Sequence, residues 1–351
     1  MIERATPPRA TTFLAQSKFL SVNLNPTVKL LDGHAISNRQ NLVDFLALQG
    51  FAGYPCGFCR LKKLHSTQHR CDKVMDMHLS TEEIHAYREH GYLVPRFALN
   101  ASWVGSLQNA LDELIRNNPG VRPEKLVSAH IEGQNDEGVK GSQRFLELAM
   151  HPDIVDMVSQ LIGPDVILWG CHVFCKPAQE GYETPWHQDG HYWPIRPLAT
   201  CTVWVALEPS NTSNGCLRVI PGSHRNKVLH PHLHEDRTDL TLTQRMADGT
   251  FDESQAVDLT LEPGQMSMHD VYMIHGAQAN RSGIRRTGVA LRYMPGTSLF
   301  DRELKPVDGK TGVPVSFATR PLWLLKGRDQ TGMNDFKVGH RAGVEVEKLA
   351  S

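Results

Sequence analysis

The chain has 351 residues, of which 40% are hydrophobic, ample for the core of one large domain or two small ones. A formal net charge of −1 argues against a general nucleic-acid binder, which is ordinarily basic. No apolar run reaches the ~18 residues needed to cross a bilayer, so no membrane span is expected.

Residues 1–76 mix Pro, Ser, Asn and Gln with short apolar patches and no sustained periodicity. They read as an N-terminal extension that is poorly ordered or loosely packed. Arg4, Arg9 and Lys18, with one acid before Asp32, leave organelle targeting open, but the compact apolar core of a secretory signal is missing. The most organised patch is Cys56-Gly57-Phe58-Cys59, followed by His65, His69 and Cys71. Zinc suits such residues, yet the spacing after the first pair is short for a finger and no second knuckle follows. Incidental cysteines are the expectation. With Cys171, Cys175, Cys201 and Cys216 the total is seven. An odd count without a secretory signal favours reduced thiols and a cytoplasmic location. The ending Glu347-Lys348-Leu349-Ala350-Ser351 is not a peroxisomal Ser-Lys-Leu signal.

A second region, 77–300, opens with Ser80-Thr81-Glu82-Glu83, a capping-box pattern. Its helix should stop at Gly91, before a short strand at Tyr92-Leu93-Val94. A second helix fits Trp103 to Asn117, with Leu107, Leu111, Leu114 and Ile115 at helical spacing, and a third fits Asp153 to Ile162. Beyond Gly163 the texture changes to short β-branched and aromatic runs: Val166 to Cys175, Thr200 to Leu207, Cys216 to Ile220, Val257 to Leu261, Gln265 to Ile274 and Thr287 to Met294. Helices followed by many short strands predict an α+β fold. The expected core is a double-stranded β-helix, that is, a jelly roll of cupin type, flanked by N-terminal helices. Residues 301–351 should wrap its outside.

The chemistry centres on His187-Gln188-Asp189 and on His275, far downstream. On a strand, residues i and i+2 share a face, so His187 and Asp189 can reach one metal together. Two imidazoles and a carboxylate are the facial triad of non-haem Fe(II), which leaves positions open for oxygen and a co-substrate. A lone His-x-Asp is a weak signal, and a histidine simply bonded to a nearby carboxylate is its bland reading. His269 competes with His275 for the distal position, or orients a ligand. Arg286, eleven residues after His275, could pair bidentately with the distal carboxylate of 2-oxoglutarate. Arg285 and Arg292 nearby leave a one-residue shift to Arg285 open.

Three ordered blocks give these residues a context. His187-Gln188-Asp189-Gly190-His191-Tyr192, Asn214-Gly215-Cys216-Leu217 with Pro221-Gly222-Ser223-His224, and His275-Gly276 with Asn280 and Arg286 resemble the blocks of the phytanoyl-CoA dioxygenase family of Fe(II)/2-oxoglutarate oxygenases. The resemblance spans residues 77 to 300. It implies that His187, Asp189 and His275 bind iron, that Arg286 holds 2-oxoglutarate, and that Gln188 and Trp204 line the co-substrate pocket. Lys125, Ser128 and His130 are upstream candidates for the same pocket. His191, Tyr192, Trp193 and Arg196 would border the substrate mouth, and His224 would be structural.

The implied function is hydroxylation of a small molecule with release of succinate and CO2. The cofactors are Fe(II), 2-oxoglutarate and O2, with ascorbate as a stimulant. The carboxylate of Asp189 separates this chain from related halogenases, which have a small residue there. The implied partners are a small-molecule substrate and no nucleic acid, in a monomer or homodimer. Arg196 and Arg218 hint at an anionic substrate. The competing reading is a non-catalytic jelly-roll module that binds or senses a metal such as zinc.

Overall fold

The computed structural model describes residues 28–29, 35–36, 79–132, 138–304 and 316–340. The cluster of Cys56, Cys59, His65, His69 and Cys71 lies outside the described residues. The chain divides into two units, Met1–Lys73 and Val74–Ser351. In the first, β1 (Val28–Lys29) pairs antiparallel with β2 (Ala35–Ile36). Every other functional residue named above lies in the second.

The second unit begins with helices whose ends are written in the sequence. In α1 (Thr81–His90) the Ser80 hydroxyl accepts from the Glu83 N–H at 3.2 Å, and the Glu83 carboxylate accepts from the Ser80 N–H at 2.8 Å. Both orphan donors are thus satisfied, as a capping box requires. The helix ends at Gly91, whose φ of 81° suits glycine, and where a Cβ would lie 2.3 Å from Met273 Sδ. Helix α2 (Ala101–Asn117) starts earlier than its apolar spacing suggests, because the Asn100 side chain caps it by accepting from the Trp103 N–H. Helix α3 (Gln143–Ala149) was not expected, since seven residues are too few to show a period. Helix α4 (Pro152–Ile162) begins on a proline at its first position.

Two antiparallel sheets follow. The larger has the order β17 (Trp323–Lys326), β5 (Val166–Lys176), β15 (Arg286–Pro295), β8 (Cys201–Ala206), β13 (Met266–Asp270) and β3 (Tyr92–Leu93), with β4 (Leu126–Val127) also on β5. The smaller has the order β12 (Val257–Leu259), β9 (Leu217–Val219), β14 (Ile274–Ala277) and β6 (Thr184–Gln188). Short pairs, β10 (His232–His234) with β11 (Gln244–Met246) and β7 (Ile195–Arg196) with β16 (Leu299–Phe300), complete the set.

The period of two divides the large sheet's residues between its faces. Val203, Val205, Val289, Leu291 and Tyr293 pack against Leu107, Leu111, Phe145, Ile154 and Met157 from the helices. Tyr293 also donates its hydroxyl proton to the Ala149 carbonyl at 2.9 Å. The alternate residues, Thr202, Trp204, Arg286, Ala290 and Arg292, line a cavity instead.

Two expectations change. The single strand foreseen over Gln265–Ile274 is two strands in different sheets. The chain turns at Asp270, which accepts from the N–H groups of Tyr272 and Met273 at 2.8 and 3.0 Å. The C-terminal segment does more than wrap the outside. It supplies β17 to the sheet edge, and Phe317 and Leu322 are buried with Trp169 and Trp193. The His130 ring lies 5.0 Å from that of Trp323. Burial, reinforced by the charges of Arg320 and Arg292, pushes His130 down to about 3.

Two outcomes follow from this packing. Leu111→Ala, at a fully buried position, should cost about 2–5 kcal/mol in urea unfolding. The depressed pKa of His130 means the unfolded chain binds the extra proton between about pH 3 and 6.5, so stability falls as pH drops through that window. Each unit should cost about 1.4 kcal/mol for this one group. His130→Gln should flatten the pH dependence by that amount, and an unchanged slope would contradict the assignment.

Candidate active site

Antiparallel pairing of β14 with β6 sets His275 directly opposite His187, with ring centroids 4.1 Å apart. Strand β6 stops at Gln188, and Asp189 opens a 3-10 turn, Asp189–His191. The carboxylate therefore arrives from a turn, not from the next inward position of one strand as expected. The turn is anchored by the Gly190 N–H, which donates to the Val271 carbonyl. The His187, Asp189 and His275 ligand atoms lie within 4.8 Å of one another, and all three residues are buried. His187 Nε2 is 3.7 Å and His275 Nε2 is 3.9 Å from the Asp189 oxygens, wider than hydrogen bonds.

The tautomers suit a metal. His187 Nδ1 faces the Pro185 carbonyl at 2.9 Å, and His275 Nδ1 faces the Met273 carbonyl at 3.0 Å. A carbonyl only accepts, so each Nδ1 carries the proton and each Nε2 turns a lone pair to the site. Burial, and then the neighbouring His187, hold His275 well below the usual histidine range, so it is neutral. Burial works to raise Asp189, but His187, His269 and His275 outweigh it and keep the carboxyl well below its usual range. His269 Nε2 sits 3.7 Å from Asp189, and neither ring nitrogen of His269 has a hydrogen-bond partner.

The three groups open onto a cavity of about 190 Å³ between the two sheets. Arg286 enters it from the start of β15 and is 2% exposed. It donates to the Gly215 carbonyl at 2.5 Å and lies 5.3 Å over the Trp204 ring, while its Nε has no partner. Burial pushes it down to about 10. Lys176, opposite Arg286 in the register, donates to the Ala277 and Gln278 carbonyls. Trp204 lies flat across Gly288, where a Cβ would come 1.8 Å from its ring. Arg285 points elsewhere and pairs with Glu208 and Asp112.

Other expected residues are sorted by the same geometry. Lys125, Tyr192 and Trp193 line the cavity. Gln188, expected at the co-substrate, is turned away by the strand's period of two. Its amide donates to the Val228 and Tyr272 carbonyls and accepts from the His230 N–H. Arg196 is exposed, and Arg218 pairs with Glu253 and Asp258, so neither reaches the cavity. His191 stacks on His232, and His224 faces the Arg88 carbonyl. His172, Thr202, Arg292 and Arg320 line the cavity without having been singled out. Inward alternation along β15 from Arg286 could have found Arg292, but nothing in the sequence marks Arg320.

The model of the phytanoyl-CoA dioxygenase (PhyH) family matches residues 87–288, more than half of the chain. A probable phytanoyl-CoA dioxygenase of Caenorhabditis elegans is 29% identical over 236 residues, 61% of this chain and 75% of that protein. The peroxisomal phytanoyl-CoA dioxygenase of Bos taurus is 26% identical, over 79% of this chain and 90% of its own length. Among solved structures, the non-heme monooxygenase ThoJ superposes with a TM-score of 0.53 at 24% identity, covering 70% of this chain and 84% of that one. EvdO2 from Micromonospora carbonacea var. aurantiaca, complexed with 2-oxoglutarate, gives 0.51 at 22% identity, covering 65% and 95%. At such identities the structural likeness speaks to the fold. With the matched blocks and the His-Asp-His geometry in place, the chain belongs to the phytanoyl-CoA dioxygenase family of Fe(II)- and 2-oxoglutarate-dependent oxygenases.

Proposed function

We propose that this chain hydroxylates a small-molecule substrate, converting 2-oxoglutarate to succinate and CO2, on a double-stranded β-helix core. One observation carries the reading. A buried His-Asp-His cluster and a buried, incompletely satisfied arginine line one cavity between the two sheets. Molecular oxygen is the oxidant: iron, when bound, would activate it, and 2-oxoglutarate would give up two electrons on conversion to succinate and CO2, leaving one oxygen atom for the substrate's hydroxyl. The protein's share is placement and dryness. His187, Asp189 and His275 would hold the metal by one face, with the two Nδ1 protons locked on carbonyls so that the rings do not rotate. Arg286 would pair with the distal carboxylate of 2-oxoglutarate, whose burial otherwise costs several kcal/mol. Trp204 would pack against the carbon chain. The carboxylate of Asp189 occupies the position that a halogenase leaves for chloride, which favours hydroxylation. Among the described residues no helix is long and apolar enough to cross a membrane.

The metal and co-substrate assignments separate experimentally. Asp189→Ala should abolish stoichiometric Fe(II) uptake and, with it, succinate formation, while leaving the fold intact by circular dichroism. Arg286→Met should keep Fe(II) uptake but weaken 2-oxoglutarate binding roughly 10–150-fold by calorimetry, the loss of a charge-assisted hydrogen-bond pair worth about 1.5–3 kcal/mol. If Arg285→Met weakens 2-oxoglutarate and Arg286→Met does not, the anchor is misassigned. Iron-loaded protein that binds no 2-oxoglutarate at all contradicts the dioxygenase reading. Zinc retained in place of any iron affinity favours a non-catalytic metal protein.

A further inference from the structure

The metal assignment leaves His269 without a task. The residue is 2% exposed and lines the cavity, and neither ring nitrogen has a hydrogen-bond partner among the described residues. Buried polar atoms are ordinarily paired, so an orphaned imidazole calls for an explanation. Its surroundings supply one. Three imidazoles stand around the Asp189 carboxylate. Nε2 of His187 is 3.7 Å from Oδ1, and Nε2 of His269 and of His275 are 3.7 and 3.9 Å from Oδ2. Two of the three are already committed. His187 and His275 hold their Nδ1 protons on the Pro185 and Met273 carbonyls, so their Nε2 atoms offer lone pairs and have no proton for Asp189. His269 has no such carbonyl. Its Nε2 is free to carry the proton, and it is then the one imidazole of the three that can donate to the carboxylate.

The fold holds this pair together. His269 is a paired position of β13, opposite Thr202 on β8 and Tyr92 on β3. Two residues later, the Val271 carbonyl accepts from the Gly190 N–H at 3.2 Å. Gly190 follows Asp189 directly, so the two side chains ride on backbones tied to each other close by. The carboxylate itself is less constrained, because the terminal torsion of an aspartate is broad. A metal that takes one carboxylate oxygen leaves the other buried, and that oxygen needs a donor to fix the carboxylate plane. At 3.7 Å, His269 Nε2 is about 0.5 Å beyond the upper end of hydrogen-bond range, a gap that rotation about this torsion spans.

We infer that His269 is a positioning residue for the metal site: its Nε2–H donates to Asp189 Oδ2, which turns Oδ1 toward the metal beside His187. The inference rests on the reading of His187, Asp189 and His275 as the metal ligands. It also separates the two histidines of this stretch. His275 gives a lone pair to the metal, whereas His269 gives a proton to the carboxylate that binds it.

The test is calorimetric titration of metal-free protein with Mn(II), for wild type, His269→Phe, His269→Leu and His269→Gln. Phenylalanine and leucine fill the space without a donor, and glutamine places an amide N–H near the position of Nε2. The two donor-free variants should bind Mn(II) about 10–100-fold more weakly than wild type, the usual loss when a ligand's supporting hydrogen bond is removed. His269→Gln should stay within about threefold of wild type, less than the loss of one charge-assisted hydrogen bond. The rise in melting temperature that saturating Mn(II) produces should shrink in the donor-free pair and not in His269→Gln. A second measurement needs no variant. Nitrogen NMR of Zn(II)-loaded wild type should show His269 protonated at Nε2, and His187 and His275 protonated at Nδ1. Undiminished Mn(II) affinity in a folded donor-free variant, an equal loss in His269→Gln, or a His269 ring with no proton on Nε2 overturns the inference. Wild-type protein that takes up no Mn(II) at all overturns the metal-site reading instead.

Discussion

The site depends on one register. Strands β6 and β14 run antiparallel with His187 opposite His275, and directly opposed residues have Cβ atoms only about 4.5–5.5 Å apart. Two imidazoles so placed must share a face and can share an ion. A slip of one residue would send one ring to the opposite face, so the pairing has to be pinned. Several contacts do this. The Gln188 amide is tied to three backbone groups at the strand's end. The Ser223 hydroxyl accepts from the Ile274 N–H at 2.9 Å. The ladder shifts between His275 and Ala277, where Gly276 passes so close that a Cβ would lie 3.1 Å from the Thr184 carbonyl. Gln188, between two of the clustered residues, is thus a positioning residue rather than a cavity contact.

The larger sheet gives this pair something to face. One side is covered by α2, α3 and α4 and is almost wholly apolar, so its burial stabilises the unit by roughly 1.5–3 kcal/mol for each large side chain. That apolar face leaves the other free to carry what a core tolerates poorly, namely Arg286 and Arg292 on the cavity wall. Arg286 and Arg292 are inward positions of a single strand, six residues apart. The spacing separates two positive ends of the cavity with the metal cluster near one of them.

Much of this was legible in the chain. Ser80 to Gly91 could be read residue by residue, because capping boxes and left-handed glycines are local chemistry. His187, Asp189, His275 and Arg286 were legible as an ordered set, although the sequence alone could not say that they converge. What stayed hidden depends on tertiary placement. Strand β6 contains Pro185 and polar residues and carries no strand signal. The chain's switch between sheets at Asp270 lies inside a stretch, Gln265 to Ile274, that reads as a single strand. Arg320 reaches the cavity from a segment with no periodicity, while Arg196 and Arg218, closer to the motif, are drawn off by the backbone and by acids outside the cavity. Charge near a motif in sequence is a poor guide to charge inside its pocket.

The position of the bound metal decides most directly whether these residues form the site. Crystals grown with Mn(II) and 2-oxoglutarate and measured at the manganese edge should show one anomalous peak. It should lie roughly 2.0–2.2 Å from His187 Nε2, His275 Nε2 and an Asp189 oxygen, with 2-oxoglutarate density running from that peak toward Arg286. A peak that recruits His269 in place of His275, or that leaves these three residues empty and sits elsewhere, would contradict it.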